Sequence, residues 1–338
     1  MANFQLIPGD KNEQFDAGVG RLLVPQGGVA KIQLWDGATR GKDSWPLTVG
    51  PNAQGYVIVR LIKTNLAAWT SDYAIEGVNI GNVMLEARDF GPNCPREDLQ
   101  ISQWFSKPVS AFIQMTVYPA YLQGQGPWGQ AAYRSTNPMW RDVKWTNMAQ
   151  AGCGPTSLAV IMDYITAWDS RNKPPGNQCV ASKVTPVDTM KYASQYGRVA
   201  DKNLEPQGTS GDTMMNNLDK VWPAYRSQKL GNGKGAVDQA EIYLKAGEIL
   251  IFLCQNGDTY KFDAKQKMVT QHWPGHYMVL VGVDSIGSGA KQAFFIEDPS
   301  GAKTRFISRG MLEKCATIWR VYKQPAAKAA SGLSLGGG

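Results

Sequence analysis

The stretch Gln150-Ala-Gly-Cys-Gly-Pro-Thr-Ser157 decides how the second half of the chain folds, because an amphipathic segment follows it directly. Pro155 suits the first turn of a helix, where its missing N–H group costs nothing. Apolar side chains then recur with the spacing of one helix face, at Leu158, Ile161, Met162, Ile165 and Trp168. The pattern predicts a helix that begins near Cys153 and turns its apolar face inward.

Cys153 lies at the amino-terminal end of this predicted helix. The positive end of the helix dipole and the free N–H groups there favour a thiolate and lower the pKa of a thiol. Gly152 and Gly154 leave room for a substrate chain beside the sulfur. A lone cysteine beside a turn is most often structural, so the case for a nucleophile depends on partners elsewhere in the chain.

Two partners stand at the ends of predicted strands. His276 opens a buried strand and Asp298 follows the next one, 22 residues later. A hairpin between these strands would bring the two side chains together. The carboxylate could then fix the tautomer of the imidazole, and the other ring nitrogen could activate the thiol. The order of the three residues favours a Cys153-His276-Asp298 triad over three unrelated structural residues.

Three motifs carry a resemblance to a known family: Ala151-Gly-Cys-Gly-Pro-Thr-Ser-Leu-Ala159, Gly275-His-Tyr-Met-Val-Leu-Val-Gly-Val283 and Ile296-Glu-Asp-Pro299. They resemble the papain-like cysteine peptidases related to the double-glycine bacteriocin-processing peptidases. The likeness covers roughly residues 133–323. It implies an α+β papain-like fold, in which the nucleophile helix packs on an antiparallel sheet.

The resemblance also implies roles for the three residues: Cys153 as nucleophile, His276 as general base and Asp298 as the group that orients the histidine. Family members usually complete the oxyanion hole with a glutamine upstream of the cysteine. In the corresponding segment, Tyr133-Arg-Ser-Thr-Asn-Pro-Met-Trp140, the expected glutamine is a serine or an asparagine. The backbone N–H of the nucleophile supplies one donor, and the second is open among Asn137, Asn147 and Gln150.

The remaining pattern of the second half predicts helices first and strands after, as in an α+β domain. The predicted helices are Val187–Tyr196, Thr213–Val221 and Val237–Lys245, and the predicted strands are Ile249–Cys254, Tyr277–Val283, Ala293–Glu297 and Thr317–Tyr322.

The first half, residues 1–118, reads as a separate all-β sandwich. Apolar and polar residues alternate around Val57–Leu61, Val83–Ala87 and Ile113–Val117, between clusters of Gly, Asn and Pro. The segment Tyr73–Ala87 and a last strand at Phe112–Val117 resemble bacterial immunoglobulin-like domains, which implies binding or spacing rather than a reaction. We expect a linker at residues 119–132, the papain-like domain at 133–323 and a flexible tail at 324–338.

Composition excludes several classes of protein. The chain has 338 residues, 35 Lys+Arg against 28 Asp+Glu and a net charge of +7, and its cationic residues are scattered singly. That distribution argues against nucleic-acid binding. The apolar runs are too short for a membrane-spanning helix, and the first ten residues lack the pattern of an ordinary signal peptide. Five cysteines are an odd number, which argues against a disulfide scaffold.

Neither a metal nor a cofactor is predicted. His272 and His276 are four residues apart, a spacing that suits zinc on a helix, but Pro274 and Gly275 between them argue against a helix. The glycine-rich stretch at 231–235 lacks the Lys-Ser/Thr ending of a phosphate-binding loop and is predicted to be a turn.

The first functional hypothesis is therefore a bacterial cysteine peptidase or amidase. Its substrate is a protein or the peptide stems of peptidoglycan. A secreted antibacterial effector, delivered without a classical signal peptide, fits the domain pair by analogy; a secretion-machine component or an immunity protein would then be a partner. The alternatives are a cytoplasmic location, a non-catalytic binding protein with a degenerate papain-like domain, and acyl transfer to an amine.

Overall fold

A computed structural model describes residues 3–6, 14–16, 21–35, 47–49, 57–65, 70–88, 109–171, 183–262, 268–284, 288–301 and 305–324. The predicted tail, from residue 325 on, lies outside these residues, as do Cys94 and Cys179. Within the described ranges, no helix is both long and apolar enough to cross a membrane.

The first half forms two β-sheets. One sheet has the strand order β1-β4-β7-β6 and the other the order β2-β3-β9-β8-β5. Among the described strands, every pair is antiparallel except β3 with β9, which is parallel. The strands are β1 Asn3–Leu6, β2 Gln14–Asp16, β3 Arg21–Pro25, β4 Val29–Trp35, β5 Leu47–Val49, β6 Val57–Asn65, β7 Thr70–Gly77, β8 Gly81–Arg88 and β9 Val109–Tyr118.

The two sheets share one apolar core, because alternate residues of their strands point to the same side. Its fully buried members come from β3, β4, β7, β8 and β9, and they include Leu22, Ile32, Ile75, Leu85 and Met115. The alternating pattern therefore predicted three of these strands, β6, β8 and β9. Its immunoglobulin-like character stays a prediction.

The second half is built around an eight-stranded sheet with the order β12-β19-β13-β16-β17-β18-β14-β15, and a small hairpin, β10-β11, lies apart from it. All of its described pairs are antiparallel. The strands are β10 Arg198–Ala200, β11 Pro206–Thr209, β12 Tyr225–Gly231, β13 Leu250–Cys254, β14 Gly257–Phe262, β15 Met268–Trp273, β16 His276–Val283, β17 Ala293–Glu297, β18 Arg305–Ser308 and β19 Ala316–Lys323.

The helices cover both faces of this large sheet. They are α1 Met148–Ala151, α2 Cys153–Arg171, α3 Pro186–Tyr196, α4 Gly211–Met215, α5 Gly233–Lys245 and α6 Arg309–Cys315. Helix α2 packs with Val279 and Val281 on one face, while α5 and α6 pack with Met278 and Leu280 on the other. Because successive residues of a strand point to opposite faces, β16 is buried on both sides. The mixed fold with a large sheet fits a papain-like peptidase domain.

Two predicted helices have different bounds in the structure. The helix predicted at Thr213–Val221 was wrong in extent: α4 ends at Met215, and a short 3-10 turn follows at Leu218–Lys220. The side chain of Asn217 donates to the carbonyl of Thr213 at 2.7 Å, which competes with helix continuation.

The glycine-rich stretch at 231–235, predicted to be a turn, joins β12 to α5: Gly231 ends the strand, Asn232 precedes the helix, and Gly233 begins it. Gly231 and Gly233 have φ angles of 94° and 74°, a region that glycine enters without strain, and the helix runs from Gly233.

The two halves of the chain are in direct contact through strand β3. Arg21 is almost completely buried and donates to the last carbonyls of α5, at 2.6 Å from Leu244 O and 2.9 Å from Lys245 O. A cation at the carboxyl end of a helix is favourable because it faces the negative end of the dipole. Leu23 packs onto Gly282 of β16, the strand that His276 opens.

The segment predicted to be a linker packs against the second half. Tyr121 is buried and donates to Asp163 of α2 at 2.7 Å. Gln123 donates from its backbone N–H to Pro299 O at 2.8 Å and from its side chain to Ala149 O at 2.7 Å. The segment thus joins the nucleophile helix to the loop that carries Asp298.

Candidate active site

Cys153 is the first residue of α2, as the sequence predicts. Helix α1 precedes it and is capped by Asn147, whose side chain accepts from the N–H of Gln150 at 3.1 Å. Cys153 is half-buried, whereas Gly154 behind it is buried. Cys153 therefore lies at the start of a 19-residue helix, where the dipole favours a negative charge.

The structure brings His276 and Asp298 together. Strands β16 and β17 are antiparallel neighbours, and Nε2 of His276 lies 2.7 Å from Oδ1 of Asp298. Both side chains are buried, with 6% and 0% of their surface exposed. The N–H of Ser300 donates to the same carboxylate oxygen at 2.8 Å, which holds the aspartate in the turn after β17. The acceptor fixes the proton on Nε2 and leaves Nδ1 for the thiol.

The charges of Cys153 and His276 are coupled. Burial raises the pKa of the Cys153 thiol, but hydrogen bonds from His276 and from the N–H groups of Tyr277 and Gly154 outweigh it, and the pKa lies below its usual range. Burial likewise lowers the pKa of His276, yet the bonds to Asp298 and to Cys153 raise it to about 9. Near neutral pH this arrangement favours a thiolate beside an imidazolium.

Trp273 covers one face of the imidazole, a contact that sequence reasoning missed. The two rings are stacked with centroids 4.0 Å apart and an angle of 14°. The indole N–H donates to Thr259 at 2.9 Å, which holds the ring in place. Stacking on an indole also favours the protonated imidazole through a cation–π interaction. The sequence signal was an aromatic residue three positions before the histidine.

Tyr133, Thr209 and Tyr277 form a hydrogen-bonded cluster beside the first turn of α2. Tyr133 OH and Thr209 Oγ1 are 2.8 Å apart, and Tyr277 OH donates to Thr209 O at 2.8 Å. A β-carbon added to Gly154 would lie 2.8 Å from the β-carbon of Thr209, so this side chain closes directly on the first turn of α2. Glycine at position 154 is thus required by the close approach of Thr209.

Arg198 is a buried cation that holds this cluster in place. Its guanidinium donates to Tyr133 O at 3.3 Å, to Thr146 Oγ1 at 3.1 Å, and to the carbonyls of Gln207 and Gly208. It also stacks on the ring of Tyr133 at 4.5 Å. Burial lowers the pKa of Arg198, while Tyr133 and the sulfur of Cys153 act in the opposite direction. One side chain therefore ties two loops and strand β11 together around the site, and no sequence motif predicted it.

The three residues considered as the second oxyanion donor have separate local roles. Asn137 caps a short 3-10 turn by accepting from Met139 N–H at 3.0 Å. Asn147 caps α1, and its amide donates to Gln130 at 3.3 Å. Gln150 is exposed on the turn before Cys153. The choice among the three stays open.

Glu297 is a second buried carboxylate, immediately before Asp298. Burial raises its pKa well above the usual range, and the charge of Asp298 adds to that effect. The shift favours the protonated, neutral form of Glu297.

The other histidine is separate from this site. His272 lies on β15 and His276 on β16, so the two do not share a helix. The Nδ1 atom of His272 is 2.8 Å from Asp258 Oδ1, and its side chain is 62% exposed. Among the residues that the structure describes, no group of three or more His, Cys, Asp or Glu could hold a metal ion.

A thiol at a helix amino terminus, an imidazole bonded to it and a buried carboxylate behind the imidazole form the arrangement that cysteine peptidases use. Residues 140–327, more than half of the chain, match the model of the Peptidase_C39 like family. The chain belongs to that family, and its membership supports a cysteine peptidase. No curated protein and no solved structure gives a significant match.

Proposed function

We propose that this protein hydrolyses peptide bonds with Cys153 as nucleophile, His276 as general acid and base, and Asp298 as the residue that orients and charges the histidine. One observation carries the proposal: the sulfur accepts from His276, from the backbone N–H of Gly154 at the start of α2 and from that of Tyr277 in β16, while Asp298 holds the far side of the same imidazole. Three groups in this relation activate a thiol at neutral pH.

In the acylation step, the Cys153 thiolate attacks the carbonyl carbon of the scissile bond. The negative charge that develops on the carbonyl oxygen is stabilised by the backbone N–H of Cys153 and by a second donor, for which Asn137, Asn147 and Gln150 are the candidates. The imidazolium of His276 gives its proton to the leaving amine as the C–N bond breaks. The acyl group then remains on the sulfur as a thioester.

In the deacylation step, neutral His276 takes a proton from water. The hydroxide oxygen forms a bond to the thioester carbon, the C–S bond breaks, and the product carboxylic acid leaves. Asp298 keeps the imidazole in the required tautomer during both steps because its oxygen accepts from Nε2 of the ring and not from Nδ1. Trp273 shields the imidazole from water on one face.

The substrate is a protein or a peptidoglycan stem peptide, and one experiment distinguishes them. Purified peptidoglycan and a bacterial lysate are each incubated with the wild-type protein and with Cys153→Ala. Mass spectrometry reads new stem fragments in the first pool and new protein amino termini in the second. We expect Cys153-dependent products in one of them. Products that are equal with the variant would contradict the proposal.

A second outcome of the same experiment bears on acyl transfer. If the thioester is captured by an amine, products gain the mass of that amine and no new amino terminus accumulates. The absence of any Cys153-dependent product in either pool would favour the non-catalytic binding protein instead.

We also propose that the protein is delivered as an antibacterial effector. Such delivery predicts that growth of a susceptible strain stops when the wild-type protein, and not Cys153→Ala, reaches the compartment that holds the substrate.

A further inference from the structure

Two cysteines away from the candidate active site lie in contact with each other. The sulfur atoms of Cys254 and Cys315 are 3.3 Å apart, and both residues are free thiols. Both are buried, with 0% and 7% of their surface exposed. The two sulfurs are therefore neighbours in the core, already in contact but without a covalent bond.

The backbone around the pair is fixed by sheet hydrogen bonds. Cys254 pairs with Ala316 in the β13–β19 ladder, and the N–H of Gln255 donates to the carbonyl of Cys315 at 2.9 Å. A disulfide needs main chains that already run side by side, because Cα atoms more than about 7 Å apart cannot be bridged without backbone movement. Here a backbone hydrogen bond already joins the two chain segments next to the sulfur atoms.

Gly257 shows that the local packing is shaped around both sulfur atoms. A β-carbon at this position would lie 2.4 Å from the sulfur of Cys315 and 2.7 Å from that of Cys254. Any other residue would have to displace one of the two. The turn between β13 and β14 thus leaves room for the pair through the absence of a side chain.

The pair also lies at the level of the catalytic histidine. Cys254 is the direct partner of His276 in the β13–β16 ladder, and on its other side it pairs with Ala316 of β19. A covalent link between Cys254 and Cys315 would join β13 to the start of β19. That link would fix the strand end against which His276 is positioned.

We propose that Cys254 and Cys315 form a disulfide when the chain folds in an oxidising compartment, and that this bridge stabilises the sheet end that carries His276. The oxidant is a disulfide, either of low molecular weight or on a protein. The thiolate of one of the two cysteines attacks one sulfur of it, and the oxidant's S–S bond breaks with release of one thiol. The other cysteine then attacks the protein-bound sulfur of the mixed disulfide, which forms the Cys254–Cys315 bond and releases the second thiol. Two protein thiols are oxidised, and one external disulfide is reduced to two thiols.

Because both sulfurs are buried in the folded protein, the exchange occurs before the sheet closes. The attacking species is the thiolate of one of the two cysteines.

The test uses the full chain, unfolded and refolded in a glutathione buffer of mixed redox state. Free thiols are then blocked with N-ethylmaleimide under denaturing conditions, and proteolytic fragments are mapped by mass spectrometry without reduction. We expect a cross-linked fragment that contains Cys254 and Cys315, with Cys153 alkylated. Alkylation of both Cys254 and Cys315, or pairing of either with Cys94 or Cys179, would overturn the proposal.

A second measurement tests the effect of the bridge on the sheet. The Tm of the oxidised wild-type protein should exceed that of the reduced protein by something on the order of 5 °C, and amide exchange in β16 should slow. Cys254→Ser is the matched control and should show neither change. If the oxidised protein contains the bridge and its Tm equals that of the reduced protein, the stabilising role is overturned. Neither readout depends on hydrolysis, so this inference and the proposed function can fail separately.

Discussion

Replacing Asp298 with asparagine removes the charge behind His276 and keeps a side chain of nearly the same shape. In the wild-type protein burial lowers the pKa of His276, and the bonds to Asp298 and Cys153 raise it from the ordinary 6.5 to about 9. That difference corresponds to about 3 kcal/mol of imidazolium stabilisation. If Asp298 supplies half of it, the pKa of His276 should fall by about one unit in Asp298→Asn.

The reactivity of Cys153 shows whether the pKa of His276 falls in Asp298→Asn. The thiolate–imidazolium pair exists above the pKa of the thiol and below that of the imidazole, and an anionic alkylating agent reacts best with that pair. The rate of alkylation by iodoacetate should therefore fall at high pH around the pKa of His276, which is about 9. In Asp298→Asn this fall should begin about one pH unit lower. Replacing Cys94 and Cys179 with serine in both proteins leaves Cys153 as the accessible reporter.

The surface histidine provides a matched control. Asp258 lies 2.8 Å from His272, in a pair that is largely exposed, so Asp258→Asn should leave the alkylation profile unchanged. Superimposable profiles for the wild-type protein and Asp298→Asn would refute the role of Asp298 in charging His276. A shift of equal size in Asp258→Asn would show that a general change in surface charge moves the profile.

Three further substitutions test the architecture around the site by chemical denaturation. Gly154→Ala places a methyl group 2.8 Å from Thr209 and should lower the free energy of unfolding by about 1–3 kcal/mol, whereas Gly235→Ala, with nothing within 4 Å, should not. Arg198→Met leaves buried acceptors without their donor and should cost about 3 kcal/mol; lysine at the same position should restore only part of it. Arg21→Ala removes two bonds to the end of α5 and should cost about 1–2 kcal/mol.

Each of these has an outcome that would contradict it. Equal denaturation midpoints for the two glycine variants would mean that Thr209 moves aside freely. Full rescue by lysine would mean that the charge at position 198, rather than its fork of donors, holds the loops. If Arg21→Ala lowers only the stability of a separate unfolding transition of the first half, Arg21 does not join the two halves.

The sequence contained enough information to predict the elements that carry the proposed triad. Helix α2 begins at Cys153, and β17 covers Ala293–Glu297, both as predicted. The contact between His276 and Asp298 followed from one hairpin between adjacent strands. In each case the sequence pattern was local: the periodic apolar residues that predict the element lie within a few positions of the residue that ends it.

The surroundings of the site could not be predicted in the same way. Arg198 reaches Thr146 and Tyr133 across 52 and 65 residues, a relation that no periodicity contains. Strands β14 and β18 were also missed, because they are short and carry many polar residues, so neither gives a clear apolar pattern. Long-range packing decides these features.

The most direct test of the central claim is hydrolysis in water labelled with oxygen-18. The wild-type protein and Cys153→Ala are incubated with the substrate pool, and mass spectrometry measures the label at new carboxyl termini. Hydrolysis through a thioester predicts one labelled oxygen in each new carboxyl group with the wild-type protein and no such product with the variant. Labelled termini that persist in Cys153→Ala would contradict the assignment of Cys153 as the nucleophile.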